Sequence, residues 1–249
     1  MRTYLLHLLV LSLFLSLAGR AGAQGEAKAI IEKALKAHGG ADKIAKLKAA
    51  QVAAKGTIDV NGMNLEFTAE SYAQLPNQFK SVMKLKAGGM DFTQVQSMNR
   101  DKIVITLNGM EVPLTDKTRD EIKETVYAER VANLIPLIKE KEFQLSLLGE
   151  AQVDGRPAVG VKASSKGHKD VNLYFDKESG LLVKTEYRSL DAMSNQEYTR
   201  EQILKGYKEF NGIQSPTRLV INKDGKKLVE MEVTDVKNLE KLDDSVFEP

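Results

Sequence analysis

The chain has 249 residues, 42% of them apolar and 28% charged, with no cysteine and a formal net charge of +2. That length allows one domain or at most two, with a core that needs no covalent staples. The lack of Cys excludes a disulfide framework, a thiolate metal site, a Cys nucleophile and a lipid-modified N-terminal Cys, and lysines scattered without a basic stripe argue against nucleic acid as a partner.

The first segment reads as a targeting signal. Arg2 supplies a thin positive end, Tyr4 to Leu17 is a nearly unbroken apolar run, and Ala21-Gly22-Ala23 has the small-x-small pattern of a cleavage site. The run is shorter than the roughly 20 residues of a membrane-spanning helix. Residues 1–23 are therefore expected to be a cleaved signal peptide, leaving Gln24 as the mature N-terminus, no transmembrane segment and a single domain over 24–249. Losing Arg2 and Arg20 makes basic and acidic residues equal at 34 each, so the mature chain is formally neutral.

Glu26 to Ala37 is predicted to be a helix, because Ala27, Ile30, Ile31, Ala34 and Leu35 fall on one stripe. Gly39-Gly40 ends it. Asp42 to Leu47 adds a turn or two with Ile44 and Leu47 facing inward. From Gln51 the apolar period changes from 3.6 to 2. Strands with one apolar and one charged face follow, punctuated by Asn61-Gly62, Pro76-Asn77, Gly88-Gly89 and Asn108-Gly109. Sequential strands of this kind form an antiparallel meander.

Residues 115–140 interrupt the strands with a helical insert. Thr118-Arg119-Asp120-Glu121 matches a capping box, and Ile122, Val126, Tyr127, Val131, Leu134, Ile135 and Ile138 mark a buried stripe. Pro136 is expected to end the first helix near Asn133 and leave a short second one through Leu137 and Ile138. Strands resume with Phe143 to Val153, Ala158 to Ala163, and the hairpin Val171 to Tyr187 around Asp176 to Gly180. Residues 196–210 fit either a strand or a helical turn. Pro216 implies a bulge or a strand start, and Leu219 to Ile221 pairs with Leu228 to Val233 across Lys223-Asp224-Gly225.

About ten strands with one apolar face make a curved sheet that must be covered or closed. The helices are too few to cover two sheets and enough to fill one concave side. The expected fold is mainly β with a helical lid: an incompletely closed antiparallel barrel whose concave face is covered by the N-terminal helix and the insert. A cavity between helices and sheet follows. Its expected lining is Leu65, Phe67, Phe79, Met83, Leu85, Met90 and Phe92 from the strands, and Ile122, Val126, Val131 and Leu134 from the insert. Five methionines between residues 63 and 110 suit either a variable apolar ligand or ordinary gap-filling.

Catalytic and cofactor motifs are absent. There is no nucleophile elbow, phosphate loop, calcium loop or His-Glu-x-x-His. His38 and His168 stand alone beside turns and read as surface residues, so no metal or other cofactor is expected. The carboxylates look paired with Lys or Arg along solvated faces. An enzyme using Asp or Glu alone stays open as an alternative.

Phe175-Asp176-Lys177-x-x-Gly180-Leu181-Leu182-Val183 resembles a hairpin of the periplasmic lipoprotein-carrier, or LolA-like, superfamily. Tyr207-x-x-Phe210-x-Gly212-Ile213-x-x-Pro216-x-x-Leu219 is similar to the strand pair that follows it there. Val233-Thr234-Asp235-Val236 with Leu242-Asp243-Asp244-Ser245-x-Phe247 is similar to the family's C-terminal end. Ala34-x-x-x-His38-Gly39-Gly40 with Lys43 and Leu47 resembles an extended bacterial variant. The resemblance implies a periplasmic, non-enzymatic open barrel that binds lipid or lipoprotein acyl chains, with envelope lipoprotein-transport proteins as partners. It also implies a basic residue that locks the lid, for which Arg130 is the candidate by position. The alternatives are an envelope interaction module whose barrel is filled by its own helices, and a carboxylate-based hydrolase.

Overall fold

The computed structural model describes residues 24–191 and 194–249, so the expected signal segment lies outside the described residues. Helix α1 occupies residues 24–37 and α2 spans Ala41–Lys46. Six strands follow: β1 Ala49–Val60, β2 Met63–Gln74, β3 Gln78–Ala87, β4 Met90–Asn99, β5 Lys102–Leu107 and β6 Met110–Glu111. The insert is α3 Asp116–Ala132 and α4 Ile135–Lys139. Then come β7 Gln144–Val153, β8 Arg156–Ser164, β9 Val171–Asp176, β10 Leu182–Leu190, β11 Glu197–Lys205, β12 Lys208–Phe210, β13 Ile213–Ser215, β14 Arg218–Lys223 and β15 Lys226–Leu239. A 3-10 turn, Asp244–Phe247, packs on β3 and β4 and buries Phe247 completely.

Thirteen strands form one antiparallel sheet in the order β6-β5-β4-β3-β2-β1-β15-β14-β11-β10-β9-β8-β7. Two meanders are thus joined where β1 pairs with β15, and β6 and β7 are the free edges. The insert is the stretch of chain that runs from one free edge to the other. The barrel stays open in hydrogen bonds, and its gap is crossed by helices. Asn61 and Gly62, with φ of 53° and 84°, form the two-residue turn that sets the β1–β2 register.

Most boundaries follow the hydrophobic period; the helix cap and His38 differ from expectation, and the open reading of residues 196–210 resolves to strand. The insert's helix is capped by Thr115, whose hydroxyl accepts from the Thr118 amide at 3.2 Å. The capping box expected at Thr118 is therefore not used, and Glu121 instead reaches Lys169 and Ser189. Residues 197–205 are strand, and Pro216 lies between β13 and β14. His38 is not a surface residue: its Nδ1 lies 2.8 Å from the Ala34 carbonyl, its ring meets Tyr207 edge-on, and burial pushes its pKa below the ordinary value. His168 stacks on Tyr127 and contacts Glu124.

The main core lies on the β7–β11 half of the sheet. Ala27, Ile31, Ala34 and Leu35 of α1 and Tyr127, Ala128 and Val131 of α3 meet Leu145, Val161, Val171, Leu173 and Phe175 there. A smaller cluster on the other half joins Ile122 to Met98 and Ile103, with Val126 alongside. Among the described residues no helix is long and apolar enough to cross a membrane.

Candidate functional site

Register decides which side chains face the helices. Phe79 pairs with Ala73 and Met98, and Met98 packs on Ile122 of α3. Side chains alternate along a strand, so Ala50, Val52, Phe67, Ser71, Ala73, Ser81, Met83, Leu85, Met90 and Phe92 share that helix-facing parity. Opposite α3 this face carries the small groups Ala50 and Ala73, and the space between is not filled.

A cleft of about 210 Å³ opens there. Val126, Glu129, Arg130 and Asn133 line it from α3, Ala50, Ala73 and Phe79 from the sheet, and Ile44 and Leu47 from α2 and its end. A larger trough of about 840 Å³ crosses β14, β15 and β1 to β4. Its base is the cross-strand row Met231, Gly56, Phe67, Leu85 and Phe92. Lys55, Lys84, Lys86 and Arg218, with Glu66, Asp91, Glu230 and Glu232, stand around that row. A site for an acyl tail needs mainly apolar walls. Both have them: the trough has its apolar base ringed by charge, and the cleft sets Glu129, Arg130 and Asn133 beside Val126, Phe79 and the alanines, with the insert as its roof.

The expected lining is therefore divided. Phe79 and Val126 meet at the cleft. Phe67, Leu85 and Phe92 belong to the trough's base. Leu65 and Met83 are half-buried on the same face, and Met90 sits at a hairpin tip, 62% exposed. Ile122 is buried in the small cluster. Val131 and Leu134 are elsewhere, at 0% and 2% exposure in the main core against α1 and β7 to β10.

Arg130, the candidate lid lock, is tied inside the insert. Its guanidinium bonds Glu140 and Glu142 and lies over the Phe143 ring at 5.5 Å. It fastens the last turn of α3 to the segment that leads into β7. The opposite end of α3 is held by Glu121 to Lys169 and by Glu124 to His168, each at 2.8 Å.

Three ionisable side chains meet inside the barrel. Arg200 on β11 lies directly opposite Tyr187 on β10, and Glu129 faces both from α3. Glu129 lines the cleft and is exposed to solvent there, while its inner side faces Arg200 and Tyr187. Burial raises its pKa, and the charge of Arg200 opposes that rise. Burial also pushes the Tyr187 phenol up to about 12. Sequence reading passed over these three. Glu129 sits on the apolar stripe at the helical spacing of Ile122 and Val126, which is a visible signal. Arg200 shares its face with buried Leu204, in the one segment whose periodicity was ambiguous. Among the described residues no cluster of His, Asp and Glu is arranged to hold a metal.

No family model and no curated protein matches the chain. Solved structures do. A LolA superfamily protein from Nitrosomonas europaea superposes with a TM-score of 0.54 at 12% identity, covering 90% of this chain and 97% of that one. A DUF1329 family protein from Desulfovibrio piger gives 0.55 at 12% identity, covering 89% and 97%. The likeness is one of fold, and it joins the strand order, the open edges and the edge-to-edge helical insert in one conclusion: the chain has a LolA-like fold.

Proposed function

We propose that this chain is an exported, periplasmic and non-enzymatic binder and carrier of lipid or lipoprotein acyl chains, acting as one domain over residues 24–249. The observation that carries the reading is the insert. It runs between the two free edges of the sheet without strand pairing, held by side-chain packing and polar contacts, and lies across a cleft from Ala50, Ala73 and Phe79. Burying an acyl chain there contributes about 0.8 kcal/mol per CH₂. The cleft of about 210 Å³ is below the 300–1,000 Å³ of most small-molecule sites, so the N-terminal half of α3 must move to admit a chain. The apolar backing of that half is the small cluster around Ile122, and its other contacts are polar.

Native mass spectrometry of protein purified from the cell envelope tests the reading. Co-purified lipid and a mature N-terminus at Gln24 are expected. The second reading, an envelope interaction module with a self-filled barrel, is favoured by the complete burial of Val131 and Leu134. Bare protein that also shows no saturable binding of an acyl probe would overturn the carrier reading in its favour.

A further inference from the structure

We propose that the barrel interior holds a head-group site in which Arg200 and Tyr187, with Glu129 facing them from α3, bind an oxygen acceptor at the head of an acyl chain. The acceptor is either an ionised carboxylate or an ester carbonyl. The inference rests on the carrier reading and adds the chemistry of the ligand's head.

Two independent observations converge on this point. The first is position. Arg200 and Tyr187 are direct cross-strand partners on the helix-facing side of β11 and β10, which places their β-carbons roughly 5 Å apart. They do not themselves line the cleft; Glu129, which interacts with both, does, and it links them to it. The second is unmet hydrogen-bonding capacity. Tyr187 is 5% exposed, and its hydroxyl and the Arg200 Nε are both buried without a hydrogen-bond partner. Buried polar atoms in native proteins are satisfied almost everywhere. A guanidinium only donates, and a phenol donates readily. Two buried donors side by side, with only the Thr125 and Tyr198 hydroxyls near them and no well-placed bond to the Tyr187 hydroxyl or the Arg200 Nε, define a site for an acceptor from outside.

The surroundings limit what that acceptor is. The ionisable groups around the site are Arg200 and Tyr198 from β11, Tyr187 from β10 and Glu129 from α3. With Glu129 ionised, its charge and that of Arg200 balance, and a neutral carbonyl suits the site. A carboxylate head suits it once Glu129 takes up a proton, the direction in which desolvation by the neighbouring protein shifts it against the pull of Arg200. The tail then lies along Val126, Phe79, Ala73 and Ala50 in the cleft.

The test uses the full mature chain and competition against a dansyl-labelled undecanoate. Laurate, methyl laurate and dodecane share a tail length and differ in the head. Laurate or methyl laurate is expected to compete roughly tenfold better than dodecane, and Tyr187→Phe to remove that advantage. The same variant should melt at the same temperature as wild type or higher, because the hydroxyl it removes is buried and unpaired. Affinity for laurate that falls as pH rises and becomes flat in Glu129→Gln identifies the carboxylate as the ligand head. A pH-independent preference for methyl laurate identifies the ester. Equal competition by all three, or Tyr187→Phe leaving the head preference intact, overturns the inference and leaves the carrier reading standing. Absence of displacement by any of them overturns both.

Discussion

Gly56 on β1 pairs with Phe67 on β2, and a β-carbon at position 56 would lie 2.1 Å from the Glu230 carbonyl oxygen and 2.8 Å from the Met231 Cα. Both obstacles are backbone atoms of β15, so no side-chain rotation relieves them. The contact falls in the β1–β15 pairing that joins the two meanders, a few residues from the bulge at Ala53/Ala54. Gly56→Ala must push the strands apart there. It is expected to destabilise the fold by about 2–4 kcal/mol, read from the denaturant midpoint. A loss under about 0.5 kcal/mol, ordinary for a surface site, would show that the junction yields.

Asp176 closes the β9–β10 hairpin. It is 3% exposed. Its Oδ1 accepts from the Ser179 amide at 2.7 Å and the Ser179 hydroxyl at 2.8 Å, and Arg156 Nε lies 3.2 Å from Oδ2. Burial pushes its pKa up, and the Ser179 bonds with Arg156 pull it further down, so the net shift is downward. A depressed carboxylate stabilises the fold above its ordinary pKa, and that contribution is lost as pH falls through the folded value. Asp176→Asn should cost about 1–3 kcal/mol at neutral pH. The gap between variant and wild type should narrow on acidification below the ordinary carboxylate pKa. A gap that is constant with pH refutes the charge argument.

Glu129 has the opposite sign. Its folded pKa is raised by burial, with Arg200 opposing. Its stabilising protonated form is fully present below the ordinary carboxylate pKa, and the contribution is lost as pH rises through the raised value. Glu129→Gln is expected to unfold at a higher denaturant concentration than wild type in mildly alkaline buffer and to match it near pH 4. Lower stability than wild type at alkaline pH would mean that the Glu129–Arg200 attraction outweighs desolvation.

The pattern of legibility has a physical basis. Strands such as Leu65 to Ala69 and Val171 to Phe175 show themselves because one face is buried and the other solvated, and Asn-Gly pairs fix where they turn. Sequence periodicity also places Phe79, Met83 and Phe92 on one face. What it lacks is the third dimension that decides which half of the sheet the insert covers. Val126 and Val131 look equivalent on a helical stripe, yet one lines a cleft and the other is sealed against α1. Charged residues facing inward, such as Arg200 and Glu129, are hidden for a different reason: alternation treats any charge as a vote for solvent.

The insert is expected to open from one end. Its C-terminal part is fixed by Val131 and Leu134 in the main core, by Arg130 on Glu140 and Glu142, and by Leu134 itself at φ 68°, a conformation that costs a non-glycine residue energy and persists only where packing imposes it. Leu134→Ala should therefore cost about 2–5 kcal/mol, as a core truncation does. The N-terminal part rests on the small Ile122 cluster, on the Arg119 bond to the Ile103 carbonyl, and on two carboxylates, Glu121 with Lys169 and Ser189 and Glu124 with His168 and the Lys169 amide. These ties are exchangeable with water, so they hold the helix down without sealing it. Replacing both, in Glu121→Gln with Glu124→Gln, should speed amide exchange over residues 117–126 and leave 127–134 protected. Regions that open locally are those with few buried apolar contacts, and the two halves of α3 differ in that respect. An acyl ligand should change exchange most in the first half, which moves, and less in the second, where Glu129, Arg130 and Asn133 line the cleft it occupies. Equal protection of both halves in wild type and variant would make the insert a permanent plug and remove the route by which a chain enters the cleft.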